Sequence, residues 1–101
     1  MSQTIRLKKF RKNVEEYMKG QWFKQWEGIK NGDDARQILK LTADTRNKKD
    51  FDKFPGLNLE PIKGTKNYYS VRINRQWRVF FIWEDNEAWE IDLSKHDYKK
   101  L

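Results

Sequence analysis

The chain has 101 residues, 22 of them Lys or Arg and 15 Asp or Glu, for a formal charge of +7. With no cysteine and one histidine, disulfides, thiolate metal sites and multi-histidine metal sites are excluded, and no apolar run approaches the roughly 20 residues of a membrane span. A mean hydropathy of −1.10 would permit disorder, but 15% aromatic residues, with five Trp, argue for a packed interior. One domain over residues 1–101 is expected. The N-terminus lacks the unbroken apolar segment of a signal peptide, so the cytoplasm is the default address.

In chain order, Ile5 and Leu7 alternate with Thr4 and Arg6, as a short strand would or as the first turn of the next helix would. From Phe10 the spacing is helical: Phe10, Val14, Tyr17 and Met18 share one face, with Arg11, Lys12, Glu15, Glu16 and Lys19 outside it. Gly20 interrupts this pattern, and Trp22, Phe23 and Trp26 extend it or begin a short second segment. Asn31-Gly32 signals a turn, with Asp33 or Asp34 as N-cap of a helix to about Asp44 that buries Ala35, Ile38, Leu39 and Leu41. Thr45 to Lys53 reads as a polar loop, and Pro55-Gly56 stops anything helical before the strands begin.

Four strands follow: Leu57 to Ile62, Tyr69 to Ile73, Trp77 to Glu84 and Glu87 to Leu93, with Asp85-Asn86 as a tight reversal. If Asn74, Arg75 and Gln76 form a three-residue hairpin loop, Ile73 meets Trp77, Arg72 meets Arg78, Val71 meets Val79 and Tyr69 meets Phe81. One face is then apolar through Tyr69, Val71, Ile73, Trp77, Val79, Phe81 and Trp83, and Trp77, Trp83 and Trp89 are read as core. Phe80 and Ile82 partly cover the other face, so the third strand is expected to be central. Helices first and an antiparallel meander second give an α+β fold, with the N-terminal helices packed on one face of a mainly antiparallel sheet of four to five strands.

Charge is distributed unevenly. Residues 1–55 hold 14 basic and 8 acidic side chains, residues 56–101 hold 8 and 7. Within the strand half, Lys63, Lys66, Arg72, Arg75 and Arg78 run without an acid among them, while Glu84, Asp85, Glu87, Glu90 and Asp92 make the last hairpin an acidic edge. Arg72 and Arg78 directly opposed are unfavourable in a sheet. A polyanion across them would remove the penalty, and so would a nearby carboxylate. Arg78 thus reads either as a phosphate contact or as half of an ion pair with an acid of the last strand. Lys8, Lys9, Arg11 and Lys12 read as an ordinary solvated helix face or as a docking face.

Pro61-Ile62-Lys63-Gly64, Tyr69-Ser70-Val71-Arg72-Ile73-Asn74, Gln76-Trp77-Arg78-Val79-Phe80 and Asp85-Asn86-Glu87-Ala88-Trp89, in that order, resemble the HigB branch of the RelE/ParE toxin superfamily. The resemblance covers residues 55–98 and reaches the helical half by architecture alone. It implies a RelE-like fold and a type II toxin: a metal-independent, ribosome-dependent endoribonuclease that cuts mRNA and needs no cofactor. It also implies a cognate antitoxin, expected to be a helix-turn-helix DNA-binding protein. Lys63 and Arg78 match positions credited with phosphate binding and transition-state stabilisation. Where the family ends in Asp-Tyr-His, this chain has Ser94-Lys95-His96-Asp97-Tyr98 and then Lys99-Lys100-Leu101, so His96 and Tyr98 correspond in type but not in order.

Metal-free RNA cleavage needs a deprotonated 2′-OH, a balanced phosphorane and a protonated 5′ oxygen. His96 is the one side chain whose ordinary pKa lies near neutrality. Asp97 would orient His96 or act as base, and Tyr98 would stack on a base or move the second proton. Lys66, Arg72 and Arg75 would complete the RNA contacts. Two other readings share the fold: a ParE-like toxin that inhibits gyrase, and a non-catalytic protein that keeps RNA and antitoxin binding.

Overall fold

The computed structural model describes residues 7–95. Its centre is an antiparallel meander in the order β1 (Glu60–Pro61), β2 (Tyr68–Arg72), β3 (Trp77–Glu84) and β4 (Glu87–Lys95). The β2–β3 register is the expected one, with Arg72 opposite Arg78, Val71 opposite Val79 and Tyr69 opposite Phe81. Asn74 closes the hairpin loop, its Oδ1 accepting from the backbone N–H groups of Gln76 and Trp77 at 2.9 and 3.0 Å. Asp85 and Asn86 both adopt positive φ, 55° and 62°, as a two-residue turn matched to the twist of its strands requires.

Two helices cover the apolar face. In α1 (Val14–Met18) Val14 and Tyr17 are buried, and in α2 (Gly32–Asp44) Ala35, Leu39 and Thr42 are buried. They join Val71, Trp77, Val79, Phe81, Ile91 and Leu93 in one cluster, against which Ile38, Leu41 and Trp83 pack partly buried. Each such side chain withdrawn from water contributes about 1.5–3 kcal/mol. The α+β class and the central place of β3 are therefore as expected. No helix among the described residues is long and apolar enough to cross a membrane.

Several local expectations change. The helix expected from Phe10 begins only at Val14, because Asn13 stands left-handed at φ 72°. Phe10 forms a parallel bridge with Ile91 instead. There the Glu90 and Ile91 N–H groups donate to Lys8 and Lys9 carbonyls at 2.7 and 3.0 Å, and the Arg11 N–H donates to Ile91 at 2.9 Å. Edge backbone groups need partners, and this requirement outweighs helical periodicity over one turn. A strand over residues 4–7 falls largely outside the described residues.

Further along, the N-cap of α2 is Asn31, whose side chain accepts from the Asp34 N–H. Short 3-10 turns occupy Lys48–Lys53 and Pro55–Leu57, pinned by buried Phe51 and Leu57. β1 is accordingly only two residues long, and Pro61 sits on the outer strand, where a missing N–H is tolerated. In β4 one additional residue is inserted: Phe80 pairs with Asp92 but Ile82 pairs with Trp89, and Glu90 has φ 52°. This bulge changes the alternation. Ala88, Ile91 and Leu93 enter the core, whereas Trp89, opposite Ile82, joins the other face. The expectation that Trp89 is core is therefore corrected.

Candidate functional site

Strand alternation places Ser70, Arg72, Arg78 and Phe80 on the face away from the helices. Arg78 comes from the central strand, and its guanidinium extends diagonally across β2. One terminal nitrogen donates to Ser70 Oγ at 2.9 Å and the other lies 3.1 Å from Glu60 Oε1 on β1. The Arg78 side chain is 8% exposed and that of Glu60 49%. A planar fork held at both ends has few rotamers left, so Arg78 presents its charge in one orientation. The carboxylate also relieves the Arg72–Arg78 opposition.

The acid that pairs with Arg78 thus belongs to the first strand, and the expected partner in the last strand is corrected. Glu60 and Ser70 escaped the sequence reading. A signal existed for Glu60, since it is the one acid between residues 56 and 83. Its register against β2 could not be inferred, because the connecting loop is longer than any standard tight turn.

The remaining candidates divide into two groups along the sheet. Arg72 is exposed and takes part in no ion pair among the described residues, and Arg75 is exposed in the hairpin loop beside it. Lys63 lies in the β1–β2 connection, in a turn where the Thr65 N–H donates to the Ile62 carbonyl at 3.2 Å and Gly64 has φ 82°. That is the positive φ a type II turn demands at its third residue. Lys66 follows, also exposed. The Ile62 N–H donates to Tyr68 at 2.8 Å, so this loop stands level with Tyr68, four residues from Arg72 and ~13 Å along the strand. Arg72 and Arg78 are paired in register, with Arg75 in the loop that joins their strands. Lys63 and Lys66 form a second group at the other end.

Phe80 lies between the two ends, its ring stacked on that of Tyr68 with centroids 6.1 Å apart, and the half-buried Ile82 and Trp89 stand level with Tyr68. Burial raises the Tyr68 phenol above its ordinary 10.0, with the Asp92 charge adding to the rise and Arg11 opposing it. His96, Asp97 and Tyr98 lie outside the described residues. Lys95, the last residue of β4, pairs with Trp77 next to Arg78. Lys8 and Lys9 line the parallel contact with β4 rather than a helix face, Lys9 bonding Glu87 and the Ala88 carbonyl. Among the described residues no group of three or more His, Cys, Asp or Glu could hold a metal ion.

Residues 24–96 match the family described as the RelE-like toxin of type II toxin-antitoxin system HigB. The match reaches back through α2, well beyond the strand motifs. Comparison with curated proteins gave no match.

Proposed function

Because the chain belongs to the HigB-like family of RelE-like toxins of type II toxin-antitoxin systems, we propose that it arrests translation by cutting mRNA on the ribosome. The family makes it the toxin of a pair with a cognate antitoxin, and implies ribonuclease-type activity in general. Metal-free cleavage in the ribosomal A site, and a helix-turn-helix antitoxin, are our reading. The observation that carries it is the Glu60–Arg78–Ser70 cluster on the open sheet face.

In this reading Glu60 takes the proton of the 2′-OH as that oxygen bonds to phosphorus. Arg78, already oriented, and exposed Arg72 balance the charge on the phosphorane. The P–O5′ bond then breaks, and the 5′ oxygen takes a proton from His96 or Tyr98, with Asp97 orienting the imidazole. The products are a 2′,3′-cyclic phosphate and a 5′-OH. Since Arg78 is largely enclosed, the half-exposed Glu60 carboxylate must shift for a phosphate oxygen to reach the guanidinium.

The test is expression without antitoxin. Wild type is expected to arrest translation with cleavages that primer extension maps on translated mRNA. Glu60→Gln and Arg78→Lys, shown to be folded by circular dichroism, are expected to lower the cleavage rate by about 10²-fold or more. Arrest and cleavage undiminished in both folded variants would remove this site. Inhibition of gyrase supercoiling without mRNA cleavage would favour the ParE-like reading. The near-complete enclosure of Arg78 also supports a second reading, in which the Glu60–Arg78 pair is only a strut in a non-catalytic protein. Absence of any cleavage by the wild type would favour that.

A further inference from the structure

We propose that Tyr68 and Phe80 form a stacking platform for one RNA base, on a track that carries single-stranded RNA from the Arg72–Arg78 end of the sheet to the Lys63–Lys66 loop. The proposal rests on the nuclease reading above and deepens it, by naming the residues that seat substrate between two phosphate contacts. Its starting point is the separation just described. Arg72 and the Lys63–Lys66 loop stand ~13 Å apart along β2, too distant to share one internucleotide linkage but suited to phosphates two linkages apart on one extended strand, while the Arg78 guanidinium, turned towards Ser70 and Glu60, lies between them.

What lies between them fits that use. Tyr68 and Phe80 are parallel within 28°, at 6.1 Å, and both are half-buried on the face that carries no helix. Aromatic rings presented between cations bind single-stranded nucleic acid, because every base has a face to stack while the phosphates follow the charges. The Tyr68 phenol is neutral at physiological pH and able to donate, and burial only moves its pKa further up. Acidic groups lie to the β4 side, with Asp92 opposite Phe80 and Glu90 3.7 Å from Arg11. They direct a polyanion towards the β1–β2 side, where Lys63 and Lys66 stand.

The experiment measures cleavage of ribosome-bound mRNA and, in parallel, binding of a short single-stranded RNA to purified protein across a salt series. Tyr68→Ala and Phe80→Ala are each expected to raise KM and weaken RNA binding about tenfold, with the loss on KM rather than kcat. Tyr68→Phe, which keeps the ring, is expected to recover most of the affinity. The double change Lys63→Ala, Lys66→Ala is expected to lower the salt dependence of RNA binding by about one unit of slope per lost contact. Unchanged KM and unchanged RNA affinity in folded Tyr68→Ala and Phe80→Ala overturn the platform, even if Glu60→Gln abolishes cleavage and so upholds the nuclease reading. If the wild type cleaves nothing, the nuclease reading fails alone, and the binding arm still decides the platform.

Discussion

At the scale of single residues, the same side-chain type takes different roles according to the face it is given. Phe81 is fully buried and stacks on Phe51 and Tyr69 at 5.6 and 6.1 Å, whereas Phe80, its neighbour, faces outward. Phe81→Ala is expected to cost about 3–5 kcal/mol through lost transfer energy and the cavity left behind, read as a fall in the urea midpoint. Trp26 is buried by its ring but fixed by its edge, with the indole N–H donating to the Leu93 carbonyl at 2.8 Å. Trp26→Phe leaves that carbonyl on the β4 edge without its donor and is expected to cost about 1–3 kcal/mol, measured by thermal unfolding. Phe81 was legible as core from alternation alone. The Trp26 bond, between residues 67 apart in the chain, was not.

At the scale of elements, helix and hairpin ends depend on local chemistry that can be read directly. Asn31→Ala removes the side-chain acceptor for the Asp34 N–H and is expected to cost ~1 kcal/mol, again by urea unfolding. Asn86→Val places a β-branched residue at φ 62° and is expected to cost about 1–2 kcal/mol, with slower closure of the β3–β4 hairpin in refolding. Asn31-Gly32 read as a turn with the cap at Asp33 or Asp34 and is instead the N-cap and first residue of α2, whereas the hairpin turn was visible as the Asp-Asn dipeptide. The β4 bulge was not, because one extra residue in a strand leaves no mark on composition and shows only against the partner strand. Its consequence is large, since it brings Ile91 and Leu93 onto the core face although Trp89, which the turn sets opposite Ile82, lies on the other.

At the scale of the whole molecule, Glu87 ties three distant parts together. Its carboxylate lies 3.0 Å from Lys9 in the N-terminal segment and 2.7 Å from Arg46 after α2. The hydrogen bond from Lys9 holds the Glu87 pKa below its ordinary 4.5 against a smaller rise from desolvation, and the Lys9 charge and the Arg46 contact add to the fall. A depressed folded-state pKa stabilises the fold above the unfolded value and loses that contribution as pH falls. Wild type is therefore expected to lose part of its stability below about pH 4.5, and Glu87→Gln to show a shallower fall there. The check is the urea midpoint across the acid range at low and high salt, because screening should weaken an exposed tie.

The sequence by itself determined what depends on nearest neighbours and on period: the α+β class, the β2–β3 register, the arginines opposed across it, and the turns. Tertiary structure alone decided which groups meet across long stretches of chain. Glu60 reaches Arg78 over the intervening strand, residues 8–11 line β4 rather than coil into a helix, and the Lys63 loop stands level with Tyr68, at the far end of β2 from Arg72. The physical reason is that alternation assigns a side chain to a face, while its place along that face depends on loop lengths and bulges that shift whole strands against one another.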